Sequence, residues 1–400
     1  MAIGIVNKKV LYVVPSWFTL YYPLRGQLAY LKSIGFDIDV ACEDDPRSWE
    51  AAQREGVKLY PIRIDRYPSF FSDWSAFWKL YRLISANRYS IVNCCTKKGG
   101  MLSAMAGRLN GVPKIVYVNR GVETRSLGST KQFIFSQFER VISLCAHRVL
   151  FISASNRQSF QKRSICSTKK MVLIGQGSSN GVDSTVYQKT EEILTKAKKL
   201  CSKYRIPEGS RILGYVGRLT YMKGIKELSE AWQIVRNEHP DTHLIVVSPP
   251  EVDLEIEDSV SKMKSDPMCH FVGFMTDPRP AYAAMDCLVF PSHGEGFPNA
   301  ILEAGAMEVP CLGSRTLGVV DAIVHERTGI LVESKNSLAI AQGMRRVLND
   351  RETAKAWGRN ARLRCISDFK PEKIWQGLAD LYLLLASGNS WNSGEIYSGS

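Results

Sequence analysis

At 400 residues the chain is too long for one ordinary domain and comfortable for two, and 45% apolar with 23% charged residues is the make-up of an ordinary soluble globular protein. The formal charge of +13 is unevenly placed: residues 1–175 hold 26 Lys and Arg against 11 Asp and Glu, leaving 26 against 28 in the rest. A positive first half attracts nucleic acid, anionic lipid or phosphorylated ligands, and composition does not choose among them.

The longest uncharged stretch near the N-terminus, Val10 to Leu24, is too short to span a bilayer, contains Pro15 and lacks a small-residue cleavage site. It reads as a buried strand, Val10 to Val14, followed by a loop holding Trp17, Phe18, Tyr21 and Tyr22. A helical pattern over 25–35 and an apolar run over 38–42 complete a first β-α-β. Further apolar runs at 59–64, 90–94, 114–118 and 148–153 read as strands with helices between. After Ser178 the alternation restarts, with strands at 211–217, 243–248, 269–273, 287–292, 310–314 and 329–333, and a helix from Lys226 to His239. Continuous apolar strands separated by helices predict an α/β chain of two doubly wound, Rossmann-like domains with a cleft between them. The seam falls near Gly175–Asp183, a stretch rich in Gly, Ser and Asn. The expected parts are a first domain over 1–175, a second over 176–370, a strongly apolar helix over 371–386 and a disordered tail over 387–400. The ten cysteines form no CxxC and no zinc-type cluster, and read as free thiols of a reducing compartment. A dinucleotide fingerprint is absent, because no glycine follows the first strand until Gly26.

The densest chemistry lies between His293 and Ala304, which reads HGEGFPNAILEA. The backbone N–H groups of Gly296, Phe297 and Asn299 open a helix, and a glycine-containing turn at a helix N-terminus suits an anion. Glu295 in the turn can bond hydroxyls beyond the phosphates. Glu303, on the same side of the helix, can take a ribose diol. The bland alternative is a solvated Glu303 and a capping Asn299. A second segment, GYVGRLTYMKGI from Gly214 to Ile225, ends a strand at Gly217-Arg218 and opens a helix near Lys223-Gly224. Arg218 offers a planar fork of donors and Lys223 a point charge, both suited to a diphosphate. The one Asp-x-Asp, Asp37 to Asp39, sits where a strand begins, so Asp39 points into or along the sheet and no metal site is expected.

These two segments, with AAMDCLVFPS and VVDAIVHERTGILVES, resemble the retaining family-4 glycosyltransferases of the GT-B fold, and GSSNGVD is similar to capsular-polysaccharide and lipid-linked-oligosaccharide members. The resemblance implies a donor domain in the C-terminal half, a membrane-facing acceptor domain in the N-terminal half, and a final helix packing back on the first domain. It implies that Gly217, Arg218 and Lys223 hold the diphosphate of a nucleotide sugar, taken as a UDP-sugar. Glu303 would hold the ribose, Glu295 with backbone groups of Gly296, Phe297 and Pro298 the transferred sugar, and the helix start at Gly296–Asn299 the leaving diphosphate. Relatives place a His before a Gly at the end of one first-domain strand. Here Arg120 precedes Gly121, and Arg120 stays protonated, so it would steady a leaving or acceptor phosphate rather than accept a proton. Glu295, Arg218, Lys223 and Arg120 are thus the catalytic candidates. They act by charge stabilisation in a front-face, retaining transfer without a cofactor or metal.

The acceptor candidates are Lys97 and Lys98, which open a helix in TKKGG, with Arg120 and Arg125. His147 reads as a core or capping residue. Trp74, Phe77, Trp78 and Tyr81 recur at helical spacing and are assigned to packing, while Trp17, Phe18, Phe70 and Phe71 are read as membrane anchors. A polyprenyl-diphosphate-linked glycan would satisfy the charge, the aromatics and the resemblance together. The expected place is the cytoplasmic face of the inner membrane, bound peripherally to an anionic surface, with no nucleic-acid partner. A sugar-nucleotide epimerase of the same fold and a non-catalytic nucleotide-sugar-binding protein are the alternatives.

Overall fold

The computed structural model describes residues 8–65, 69–121 and 129–387. The chain divides into two compact units, Met1–Asn180 with Pro371–Ser400, and Gly181–Lys370. The division lies inside the Gly-, Ser- and Asn-rich stretch, slightly beyond the expected 175. The last helix runs over Pro371–Ser387, past the expected 386, and residues 388–400 lie outside the described residues.

The first unit carries strands β1 (Lys9–Val13), β2 (Asp37–Cys42), β3 (Lys58–Pro61), β4 (Ile91–Cys95), β5 (Lys114–Asn119), β6 (Arg148–Phe151) and β7 (Met171–Leu173). They form one parallel sheet in the order β3-β2-β1-β4-β5-β6-β7. β7 was not expected; three residues are too few for a periodic signal, and it is strand-like because Val149, Leu150 and Phe151 pair with it. Ile91 to Cys95 are buried throughout, as a parallel strand covered on both faces requires. On one face Leu80, Ile84, Leu102 and Ile142 of three helices close over Leu11, Val92 and Ile115. On the other lies the helix Pro371–Ser387, whose buried Tyr382 donates a hydrogen bond to the Tyr12 hydroxyl (2.9 Å) and accepts one from Asn93. Asn180 fastens this side: its amide oxygen accepts from Trp375 Nε1 (2.6 Å) and its amide nitrogen donates to the Arg25 carbonyl (2.9 Å).

The second unit repeats the plan with β8 (Arg211–Val216), β9 (Thr242–Val247), β10 (Cys269–Gly273), β11 (Cys287–Phe290), β12 (Cys311–Ser314) and β13 (Gly329–Val332). Its parallel order is β10-β9-β8-β11-β12-β13. In both sheets the winding reverses beside the first strand, at β1/β4 and at β8/β11. In doubly wound sheets ligands bind beyond the carboxyl ends of the strands at such a reversal. That places the candidate positions after Val13 and Cys95 in one unit, and after Val216 and Phe290 in the other.

Candidate active site

In the second unit β8 runs out through Gly217 and Arg218 to a single 3-10 turn, Tyr221–Lys223, and then the helix Ile225–Glu238. Gly224 joins turn to helix at φ 71°, and a Cβ there would stand 2.1 Å from the Pro291 carbonyl oxygen. Only glycine lets the loop after β8 press so closely on the loop after β11. The two loops are then tied together. The Met222 carbonyl accepts from His293 N (2.9 Å) and Ser292 Oγ (3.2 Å), and the buried His293 ring places Nε2 3.0 Å from Glu227 Oε1. Burial pulls the Glu227 carboxyl up, but the hydrogen bond from His293 and one from its own backbone outweigh it and leave Glu227 below its ordinary value.

This clamp brings together residues 72 apart in sequence: Lys223 Nζ lies 2.7 Å from Glu295 Oε1, and Ser292 Oγ donates to the same oxygen at 2.6 Å. Lys223 also lies over the Phe290 ring, 5.1 Å from its centroid. The sequence placed Lys223 on phosphate and Glu295 on sugar as separate contacts; here they form one ion pair. Arg218, just past the end of β8, is exposed, and its guanidinium makes no hydrogen bond or ion pair among the described residues. The following helix begins at Asn299 and ends at Ala306, with Pro298 as its cap and the Asn299 amide oxygen buried without a partner among the described residues. Glu295 is therefore in the turn and Glu303 one turn into the helix. Glu303 is not a solvated helix residue. Tyr282 donates to its Oε2 at 2.9 Å and Tyr187 hydrogen-bonds the same carboxyl, while burial pushes that carboxyl above the ordinary range against the pull of both bonds.

In the first unit Lys97 and Lys98 are engaged with carboxylates, which corrects the picture of two cations turned to an acceptor. Lys97 Nζ stands 3.6 Å from Glu139 of the helix Ser129–Cys145, and Lys98 pairs with Asp73 of the helix Phe70–Asn87. The glycines that follow serve packing: a Cβ on Gly99 would stand 2.5 Å from Pro15, and one on Gly100 2.9 Å from Tyr117. Arg120, at the end of β5, reaches inward to a cavity of about 30 Å³ that Tyr12, Asn93 and Cys95 also line. Its Nε is buried without a partner among the described residues. Burial raises the Cys95 thiol, against the pull of this guanidinium. Arg125 lies outside the described residues. His147 Nδ1 accepts from Ile115 N at 2.9 Å, and burial among four cations lowers its pKa to about 4. Phe18, Phe70 and Phe71 are exposed, whereas Trp17 is half-buried under the Arg47 guanidinium, 3.5 Å from its ring centroid. Of the four aromatics assigned to packing, Phe77 and Tyr81 pack on the core, whereas Trp74 and Trp78 are exposed.

Residues 197–364 match the profile of the glycosyl transferases group 1, and residues 9–153 that of glycosyl transferase 4-like proteins. The chain belongs to this glycosyltransferase family. It is 28% identical over 379 residues to the capsular polysaccharide biosynthesis glycosyltransferase CapM of Staphylococcus aureus, covering 94% of this chain and 97% of that one. It is 24% identical over 352 residues to an Escherichia coli UDP-Gal:α-D-GlcNAc-diphosphoundecaprenol α-1,3-galactosyltransferase, covering 87% and 89%. Among solved structures it resembles HepE of Anabaena in complex with UDP and glucose, with a TM-score of 0.76 at 18% identity over 94% and 99% of the chains. The glycosyltransferase thus has the GT-B fold.

What sequence reasoning missed in this glycosyltransferase is the support of the charged residues. His293 opens the motif but had no role; it is the strut to Glu227. Tyr282 lay just ahead of the recognised AAMDCLVFPS stretch and carried no mark of its bond to Glu303. Tyr187 lay in no motif at all.

Proposed function

We propose that this glycosyltransferase moves a hexose or N-acetylhexosamine from a UDP-sugar to a polyprenyl-diphosphate-linked glycan, with retention and without a metal ion. The glycan belongs to cell-surface polysaccharide or glycoprotein-glycan synthesis, at the cytoplasmic face of the inner membrane. The second unit takes the donor and the first the acceptor. The observation that carries this reading is the set of groups beyond β8 and β11: the Lys223–Glu295 pair between the two loops and the exposed Arg218 at the end of β8, with Glu303 held by two tyrosines in the same unit. A diphosphate entering there competes with Glu295 for Lys223 and gains the Arg218 fork. Glu295, released, accepts from a sugar hydroxyl, and Glu303 accepts from the ribose diol.

The chemistry follows from where charge develops. The bond from the anomeric carbon to the diphosphate oxygen breaks, and the acceptor hydroxyl oxygen bonds to the same face. Its proton passes to the departing β-phosphate. Negative charge grows on that phosphate, where Arg218, Lys223 and the start of the helix at Asn299 stabilise it. These cations supply what a divalent ion supplies elsewhere. The lipid-linked substrate in the printed name of the Escherichia coli relative, and the capsular role in that of the Staphylococcus aureus one, support the choice of acceptor and pathway.

The test is a screen of nucleotide sugars for nucleoside diphosphate release with EDTA present, with and without lipid-linked acceptor. The expected result is UDP release that needs the acceptor, survives EDTA and yields an axial glycoside from an axial donor, read by the anomeric NMR coupling. Inverted product, loss of activity restored only by Mg²⁺ or Mn²⁺, or an epimerised sugar without transfer would each overturn the corresponding part.

A further inference from the structure

The Glu303 carboxyl accepts from the Tyr282 phenol at 2.9 Å and from the Tyr187 phenol, and no cation pairs with it among the described residues. A carboxylate that only has to be kept inside a protein is ordinarily paired with a cation. Phenols do something else: they favour the ionised form and leave its charge in place. An ionised carboxylate has roughly four acceptor positions, so two phenols leave about two. Two neighbouring hydroxyls of a ribose would fill them.

Tyr282 belongs to the helix Arg279–Ala284 and is fully buried. Tyr187 belongs to a stretch, 182–188, that has turns and no helix or strand. That stretch is nonetheless fastened at several points. Asp183 Oδ1 accepts from Thr185 N (2.9 Å), Thr185 Oγ1 (2.5 Å) and Val186 N (3.3 Å). Arg279, itself held by Asp277 through bonds of 2.7 and 2.8 Å, donates to the Val186 carbonyl at 3.1 Å. Arg362, on the helix Arg351–Asp368, donates to the carbonyls of Ser184 (3.3 Å) and Tyr187 (3.1 Å). It also donates to the carbonyl of Ala306, the last residue of the helix that carries Glu303. One guanidinium therefore ties the Tyr187 backbone to the Glu303 helix.

We propose that Tyr187 and Tyr282 are positioning residues: they aim the Glu303 carboxylate so that the donor site requires a ribose cis-diol and rejects a deoxyribose. The inference rests on the donor reading of the second unit and adds what sets its sugar specificity. A site built around such an acceptor rejects the analogue that lacks the hydroxyl, because the acceptor is then left unpaired. Removing a phenol acts through Glu303: the carboxyl loses one of its two fixed bonds and ionises less readily, so it accepts less. Asp277 and Arg279 act on the Tyr187 phenol, Cys311 acts on Tyr282, and Arg362 is engaged with backbone carbonyls. The ionisation of Glu303 itself follows burial and the two phenols.

UDP and 2′-deoxy-UDP are titrated calorimetrically, in EDTA at several pH values, into wild type, Tyr187→Phe, Tyr282→Phe, Glu303→Gln and the two Tyr→Phe/Glu303→Gln double variants. Thermal melts first establish that each protein folds; should Tyr282→Phe not fold, Tyr187→Phe, on the loop, carries the test. Wild type should prefer UDP about tenfold, and each single Tyr→Phe variant about threefold or less, in keeping with loss of one hydrogen bond. The fall of UDP affinity on acidification should begin at higher pH in both, because the phenols hold the carboxyl down against burial. With Glu303→Gln in place, either substitution should change the preference no further. In turnover the donor KM should rise with kcat near that of wild type. A folded Tyr→Phe protein with wild-type preference and pH profile, beside a Glu303→Gln protein that has lost both, would overturn this inference and leave the donor reading standing. Equal losses with and without Glu303 would also overturn it, since the phenols would then serve the fold alone. A wild type without any preference would sink the donor reading together with it.

Discussion

Lys223→Ala should lower kcat/KM about 10³-fold, the largest single loss in the second unit. Removing one preorganised donor to a developing oxyanion costs about 10²–10³ in rate. Here the deletion also strands the half-buried Glu295 carboxylate, which stands 2.7 Å from Lys223 Nζ, where the diphosphate must come. Lys223→Ala/Glu295→Gln should therefore recover part of the loss, because the repelling charge is gone. Steady-state kinetics on the three proteins decides it. If Lys223→Ala raises KM at unchanged kcat, the lysine binds donor and transition state equally and is not catalytic. Wild-type kinetics would remove it from the site.

Arg120→Ala should cost about 10²-fold in turnover, in line with loss of one charged contact at a phosphate. Arg120 directly follows β5, its Nε buried and unpartnered among the described residues, beside a cavity of about 30 Å³, room for little more than a water. An arginine held this way has donors left for an anion at the sheet's carboxyl edge. Arg120→Lys keeps the charge without the fork and should retain partial activity. Arg120→His should recover some turnover and add an ionisation near pH 6.5, roughly the ordinary imidazole value. A fully active Arg120→Ala enzyme would place this residue outside the chemistry and leave it a packing role beside Tyr12 and Cys95.

The two doubly wound units were legible because apolar runs and helical patterns alternate along nearly the whole chain; among the strands only the three-residue β7 lacked the length to register, and the five-residue helix Trp17–Tyr21 was read as loop for the same reason. Legible too were the charged residues beyond β8 and β11, since Gly217-Arg218, Lys223-Gly224 and Glu295 to Pro298 sit in turns whose glycines and prolines mark where strands end, with Glu303 in the helix that follows. Their pairing was not. Nothing local in the sequence says that Gly224 lets two loops touch and so sets Lys223 on Glu295, or that Tyr187 reaches Glu303 from another part of the unit. The same blindness to long-range neighbours turned Lys97 and Lys98 into open cations, when Glu139 and Asp73 face them.

The central claim is that the second unit grips a nucleoside diphosphate through Arg218, Lys223 and Glu303. It is tested most directly by calorimetric titration of the protein with UDP and 2′-deoxy-UDP in EDTA, at several pH values. Hydroxyls that donate to Glu303 favour its ionised form, and in the free protein burial holds that carboxyl above the ordinary range. UDP affinity should then be full above that raised value and fall as pH drops through it. Wild type should prefer UDP to 2′-deoxy-UDP by about tenfold, in keeping with one charge-assisted hydrogen bond. Glu303→Gln should lose most of both the preference and the pH dependence. A wild-type protein that binds the two nucleotides equally, or binds neither, would contradict the account.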